Sequence, residues 1–314
     1  MAHDDIAAKV ERRRREMADG SGDGLQWVRP LSSLAGEIRG RTEKIHTGIP
    51  SLDKKLKGFR VGEFSIVAGI PHHGKSLFAL TVVHNNPDLP ILWVSPDEPR
   101  AKVLSQLAAF SMNRSYDEDI EEVIEQGGPE AEAMLEEITD VLSERYPKFV
   151  VIGGERLGIK ELGEACDEYA HVVGEPPKLI VYDYLRQLPV LTDFPGARSE
   201  ALKAFGYRAG IAVMAIHQVK KGAVEYALEP DASLLSYEGE KEAFQIVWCT
   251  REALVDHEEF GGEAEERQPT IRVFILKNKS GRLLKEGRLC AINHTSGLIE
   301  EWGAEHKNRR RGVM

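Results

Sequence analysis

The chain has no apolar run approaching the ~20 residues that a membrane-spanning helix needs. Its first residues are too highly charged for a secretory signal. Cysteine is scarce, with Cys166, Cys249 and Cys290 the three in 314 residues. They lie far apart and share no C-x-x-C spacing. That argues against a zinc site or a disulfide frame, and fits small core residues in a reducing cytoplasm. Positive charge is also short: 41 Lys and Arg face 51 Asp and Glu, for a net charge of −10. A uniformly acidic surface would exclude a nucleic-acid partner, but the charge is not uniform. Acidic residues crowd into 115–170, as in Asp117-Glu118-Asp119 and Glu136-Glu137, and read as the solvated outer faces of helices. Basic residues gather at Arg12-Arg13-Arg14-Arg15, at Lys220-Lys221, from Lys277 to Arg288, and at Arg309-Arg310-Arg311. An acidic exterior of this kind leaves room for a basic channel. With 42% hydrophobic and 29% charged residues, the composition is that of a folded globular chain. Its length suits one large α/β domain or two small ones.

What the chain does contain is Gly69-Ile70-Pro71-His72-His73-Gly74-Lys75-Ser76. This fits G-x-x-x-x-G-K-[ST], with an apolar strand at 63–68 before it and an apolar helical stretch, Leu77 to Val83, after it. In such a strand, loop and helix, successive backbone N–H groups turn inward and hold a triphosphate, helped by the positive end of the helix. Gly69, Pro71, His72, His73, Gly74, Lys75, Ser76 and Leu77 are the candidate nucleotide-binding residues. Lys75 is placed to reach the β- and γ-phosphates, and the Ser76 hydroxyl to ligate Mg²⁺. His72 and His73 read as fillers of the motif's variable positions rather than metal ligands. The expected cofactors are ATP and Mg²⁺.

Residues 4–19 read as a charged helix that Gly20-Ser21-Gly22-Asp23-Gly24 ends. Together 1–46 form a basic helix and linker. From 47 to 302 strands and helices alternate, with strands expected at 63–68, 91–95, 149–152, 179–183, 211–216, 245–249, 270–276 and 288–293. Near-continuous apolar strands separated by helices predict an α/β fold, a mainly parallel twisted central sheet covered by helices on both faces. The short loop at Ser280-Gly281 predicts that the last two strands form an antiparallel hairpin at the sheet's edge. The tail, 303–314, is polar and basic and reads as disordered.

Hydrolysis needs more than a phosphate cradle. Leu179-Ile180-Val181-Tyr182-Asp183 is an apolar strand ending in an acid, the Walker B pattern, and makes Asp183 the second metal candidate. Strand 91–95, expected beside the P-loop strand, runs into Ser95-Pro96-Asp97-Glu98-Pro99. A carboxylate there can polarise the attacking water. Glu98 is favoured for its longer reach, while the position relative to Pro99 favours Asp97. Strand 211–216 ends in His217-Gln218, and Gln218 can bond the γ-phosphate and report its loss to the loop that follows. Lys220 and Lys221 open that loop. With Arg198, after the Walker B strand, they are the candidates to grip DNA phosphates. Few aromatics lie in these loops, so backbone charge rather than base stacking would dominate and sequence specificity is not expected.

Together these residues resemble the RecA-like ATPase core of the DnaB family of hexameric replicative helicases. Thr47-Gly48-Ile49-Pro50-Ser51-Leu52-Asp53 and Gly58 through Ser76 are similar to that family's approach to its P-loop. Ile91 to Pro99 resembles its strand carrying the catalytic carboxylate, Leu179 to Leu188 its Walker B segment, and Ile211 to Gln218 its sensing strand. Lys277-Asn278-Lys279-Ser280-Gly281 stands where the family has a Lys-x-Arg-x-Gly hairpin that reaches the neighbouring subunit's nucleotide. The resemblance thus implies a catalytic role in trans for Lys277 and Lys279. Lysine at 279 supplies charge without arginine's bidentate fork, and Lys-x-Lys looks more like RecA itself, with RadA's Lys-Asn-Arg close to it. The family's amino-terminal collar domain has no counterpart in the residues before 47.

The resemblance implies a ring-forming ATPase, hexameric, that moves on single-stranded or forked DNA in the cytoplasm, away from membranes, among replication or recombination proteins. A stripped-down core of this kind suits a bacteriophage acting in its bacterial host's cytoplasm. Other readings stay open. One is a RecA- or RadA-like ATPase of recombination or branch migration. Another adds structure-specific nuclease action on branched DNA through carboxylates such as Asp117, Asp119 and Glu121. The last is a RecA-fold regulatory ATPase that binds protein partners.

Overall fold

The computed structural model of the protein describes residues 43–303, apart from 192–193, 195, 220–226, 236–238, 252–253 and 255–268. The expected helix at 4–19, its linker, Lys220 and Lys221 with part of their loop, and the tail from 304 lie outside the described residues. The chain divides into two compact units, Met1–Thr42 and Glu43–Met314, and all the described residues belong to the second.

In chain order the strands are β1 (Lys44–Ile45), β2 (Phe59–Arg60), β3 (Phe64–Gly69), β4 (Ile91–Ser95), β5 (Phe149–Gly153), β6 (Leu179–Asp183), β7 (Ala212–Gln218), β8 (Gln245–Thr250), β9 (Thr270–Asn278), β10 (Leu284–Ile292) and β11 (Ile299–Glu301). The helices are α1 (Pro50–Leu56), α2 (Lys75–His84), α3 (Arg100–Met112), α4 (Glu122–Gln126), α5 (Gly128–Arg145), α6 (Ile159–Val173) and α7 (Ala197–Ala209). Nine strands make one sheet in the order β11-β10-β9-β8-β3-β7-β6-β4-β5. From β8 to β5 every pairing is parallel. From β8 outward to β11 every pairing is antiparallel.

The apolar runs explain the layering. Every residue of β3, β4 and β6 is buried, which requires cover on both faces. Alternate side chains divide between two cores, as a strand's period of two demands. Val67, Trp93, Val181 and Ile216 meet Phe78 and Val82 of α2 and Leu107 of α3 on one face. Ile66, Leu92, Ile180 and Val213 meet Leu162 of α6 and Leu202 and Phe205 of α7 on the other. Burying each such side chain is worth about 1.5–3 kcal/mol. These contacts hold α2, and with it the P-loop, rigidly against the sheet.

Two expectations about order need correction. Strand 91–95 is not beside the P-loop strand, because β7 and β6 lie between β3 and β4. All these strands are equally apolar, so composition carries no signal of their sequence across the sheet. The expected edge hairpin exists as β9 and β10, but β11 pairs outside it and forms the edge.

The far end of α3, a π-helical turn at Tyr116–Glu121, α4 and α5 pack around Ala108, Ala109, Ile120 and Ile138 as a separate helical outcrop. The acid-rich stretch falls here, with most of its carboxylates exposed. Asp119 accepts the Ser115 N–H at 2.7 Å and Glu121 the Tyr116 hydroxyl at 2.8 Å. These two carboxylates, both candidates for nuclease action, therefore serve local structure. No group of three or more His, Cys, Asp or Glu forms a metal-binding cluster among the described residues.

Candidate active site

The P-loop begins at the end of β3, beside the end of β8. A Cβ on Gly69 would lie 2.5 Å from the Cys249 carbonyl oxygen, so a side chain there would force the strands apart. The loop then turns through His72, whose φ of 66° is unusual for a residue with a side chain, and enters α2 at Gly74. Lys75 is buried, and its Nζ donates to the Ile70 carbonyl at 2.6 Å. Burial lowers its pKa from 10.5 to about 8. An ammonium stripped of water in this way gains strongly from an incoming phosphate.

The Ser76 hydroxyl donates to Asp183 Oδ2 at 2.8 Å. Asp183 is fully enclosed, and its Oδ1 has no hydrogen-bond partner. Burial raises its pKa to about 7, with the Ser76 hydrogen bond opposing and Glu98 and Asp97 adding to the rise. A buried hard oxygen without a partner, beside a hydroxyl at the mouth of a phosphate loop, is the donor set that Mg²⁺ takes. These residues fit the ion.

Register brings the other strand ends to the same level. Gly69 stands opposite Gln218 and Asp183 opposite Ile216, so β3, β7 and β6 deliver their terminal residues together. The Asp97-Glu98 pair follows β4, the next strand over. Glu98 Oε1 is bound at 2.7 Å by the Nζ of Lys102, four residues on in the first turn of α3. Asp97 Oδ2 instead accepts from Gln187 Nε2 at 3.0 Å, across from the turn after β6.

His73 does more than fill space. It is buried, and its Nδ1 accepts the Arg251 N–H at 3.1 Å, pinning the P-loop to the end of β8. Burial first, then Lys75 and Arg251, lowers its pKa to about 4, so it stays neutral. His72 is exposed. Pro71 and Leu77 are half-buried, Leu77 against the first core.

The hairpin lysines lie elsewhere. Gln245 pairs with both Ser65 and Asn278, so the hairpin is level with the start of β3. The P-loop is at that strand's other end, roughly 13 Å further along at ~3.3 Å per residue. The hairpin is anchored on α1: Asn278 Nδ2 and the Arg282 N–H both donate to the Lys55 carbonyl, at 3.1 and 3.0 Å. A Cβ on Gly281 would come within 2.2 Å of that oxygen, which accounts for the glycine. Lys277 Nζ donates to the Glu240 carbonyl and, at 3.3 Å, to that of Lys241. Lys279 is exposed, with its Nζ 4.6 Å from the Phe244 ring centre. Arg198, in the first turn of α7, donates through Nε to the Leu188 carbonyl at 3.1 Å.

The sequence profile of the DnaB-like helicase C terminal domain matches residues 44–291. The chain belongs to that family. Membership makes it an ATP-hydrolysing DNA helicase. The ATPase domain of G40P is similar in structure, with a TM-score of 0.68 at 18% identity over 87% of this chain and 97% of that one. So is the protein of "The Structure Of A DnaB-Like Replicative Helicase And Its Interactions With Primase", at 0.68 and 17% over 96% of this chain and 76% of that one. At such identities the likeness speaks for the fold. No curated protein matches the sequence. None of the described helices is long and apolar enough to cross a membrane.

Sequence reading missed Gln187 and Arg251. Gln187 falls within the Walker B segment at a position to which the motif assigns no chemistry, Arg251 belongs to no motif, and both act through contacts with residues distant in the chain.

Proposed function

We propose that this helicase domain works as a hexameric ring whose subunits hydrolyse ATP at their junctions and move along single-stranded DNA. One observation carries the reading: the hairpin lysines sit at the opposite end of the parallel strands from the P-loop. They cannot serve their own subunit's triphosphate, so a trans role requires a second copy placed head to tail. In this reading Lys75 and the loop N–H groups hold the phosphates, and Ser76 and Asp183 hold Mg²⁺. The ion, when bound, neutralises charge on the phosphate oxygens. Gln218 contacts the γ-phosphate, and Lys279 brings charge to the neighbour's leaving group, with Lys277 behind it.

For the water-polarising carboxylate we favour Asp97 over Glu98, reversing the preference drawn from reach. The Lys102 ammonium holds Glu98 Oε1 in an ion pair and competes with a water for that oxygen. The Gln187 amide orients Asp97 through one oxygen and leaves the other open to a water, as a third group orients a base in other catalytic sets. Asp97→Asn is expected to lower kcat about 10²-fold or more, the range of a general base, with Glu98→Gln much milder. The reverse ranking would return the role to Glu98.

Arg198, Lys220 and Lys221 contact the DNA backbone, so binding weakens steeply with salt. Single-stranded or forked DNA is the substrate, the replication machinery of a bacterial cytoplasm the setting, and a primase a fitting partner. A bacteriophage source is compatible with this core. The deciding experiment is the ATPase rate with and without single-stranded and forked DNA, run beside a mass measurement of the assembly. A protein that stays monomeric with ATP and DNA and responds to neither would refute the reading. Lysine at 279 also fits a RecA-like recombination ATPase. Unwinding of a fork without a homologous partner separates the two.

A further inference from the structure

We propose that Gln187 is a positioning residue for Asp97, and that the turn carrying it couples Arg198 to the active site. The inference rests on the roles proposed for Asp97 and Arg198 and adds the physical link between them.

After Asp183 the chain makes a single 3-10 turn, Leu185–Gln187. Leu185 and Leu188 are both buried in the second core and fix the turn at its two ends. Backbone bonds close it, Gln187 N–H to Tyr184 at 3.0 Å and Leu188 N–H to Leu185 at 3.1 Å. Two neighbouring residues of this stiff peg then reach in different directions. The Gln187 amide donates to Asp97 Oδ2 at 3.0 Å. The Leu188 carbonyl accepts from Arg198 Nε at 3.1 Å. A hydrogen bond from the strand exit of β4 and one from the first turn of α7 therefore converge on adjacent positions.

The chemistry suits a coupling element. An amide fixes one carboxylate oxygen without neutralising it, and leaves the other to the water. Arg198 cannot keep its bond to the Leu188 carbonyl and also turn that Nε–H to a DNA phosphate. When it exchanges one for the other, the turn loses a tether one residue from Gln187. Occupancy of the DNA site is thereby felt at Asp97. Glu98 is tied instead to Lys102, in the first turn of α3.

The test is a double-mutant cycle on ATPase stimulation, measured with the full chain at saturating oligo(dT). Gln187→Ala and Arg198→Ala are each expected to reduce the stimulation factor about 5- to 10-fold, the range of ordinary site coupling. Together they should lower it no further. Binding of a fluorescent ADP analogue within twofold of wild type would show that the P-loop is intact in each variant. Gln187→Glu supplies a readout that a merely structural role would not move. At neutral pH the introduced carboxylate repels Asp97, with Glu98 and Asp183 also nearby, and coupling is lost. As pH falls and the new group protonates, it donates as the amide did and stimulation returns. Gln187→Ala should show no such recovery. Wild-type stimulation in Gln187→Ala, or single effects that multiply in the double variant, would overturn the link while leaving the translocase standing. A wild-type protein indifferent to oligo(dT) would overturn both.

Discussion

At the carboxyl ends of the parallel strands, Lys75 is buried and bonded to its own loop, and Asp183 is enclosed beside Ser76. At the amino ends, Lys279 lies in solvent against the face of Phe244. In the proposed mechanism both lysines meet phosphate, yet only the first has been desolvated in advance. The cost of stripping Lys75 is met by the folded core around α2. For Lys279 that cost is deferred until another surface covers it. The contrast teaches how one sheet can hold two kinds of charge. A group that serves its own subunit can be built in, whereas one that serves a neighbour has to stay hydrated and adjustable while it waits.

The contrast can be broken most forcefully at the buried end. Lys75→Ala is expected to reduce phosphate release at saturating ATP about 10³-fold, the upper range for loss of one preorganised charge at a developing anion. A rate near wild type would remove the P-loop from the chemistry. At the exposed end, Lys279→Ala is expected to reduce the rate about 10²-fold and, added to wild-type protein, to depress activity faster than its own fraction rises. Activity that simply tracks the wild-type fraction would mean that the lysine acts on no neighbour. Lys279→Arg sharpens the point, because a guanidinium fork should equal or exceed lysine at the same site.

The smallest effect concerns protons. His73 and His217, both near the buried end, have pKa values lowered to about 4, primarily by burial. His84, at the end of α2, is lowered to about 4 for the same reason. The folded state accepts only their neutral forms, whereas the unfolded chain takes up protons near 6.5. Their contribution to stability is therefore fully present above about pH 6.5 and is lost as pH falls toward about 4. Asp183, raised to about 7, has the opposite sign, so its share declines as pH rises from about 4 to 7. His217→Gln should make the acid-side fall in melting temperature shallower by a few degrees. A melting curve with unchanged pH dependence would clear His217 of that role.

Much of this was readable from the residues. Leu179 to Asp183 and Ile91 to Ser95 are apolar throughout because both faces of the sheet are covered, and their boundaries came out as expected. Gly69 to Ser76 announced the P-loop because close backbone approach leaves glycine little substitute there. Strand order was not legible, since equally apolar strands can be permuted without changing composition. Nor was Gln187 visible. Its meaning lies in a bond to Asp97, 90 positions away in the chain, and a polar residue in a turn has no distinguishing pattern. His73 looked like a filler for a similar reason, because the Arg251 N–H that it accepts belongs to a strand end 178 positions on.

Under the proposed trans role, the anchoring of the Lys277-to-Gly281 hairpin on α1, away from the P-loop, gives every protomer a giving end and a receiving end. Contacts between unlike ends have no twofold symmetry to stop them at pairs. They close only if the rotation per step returns to its start, and otherwise wind into an open spiral. A copy deprived of its hairpin could still receive but could no longer give. Such a copy would act as a terminator, and a trace of it would shorten any string of protomers that grows by addition.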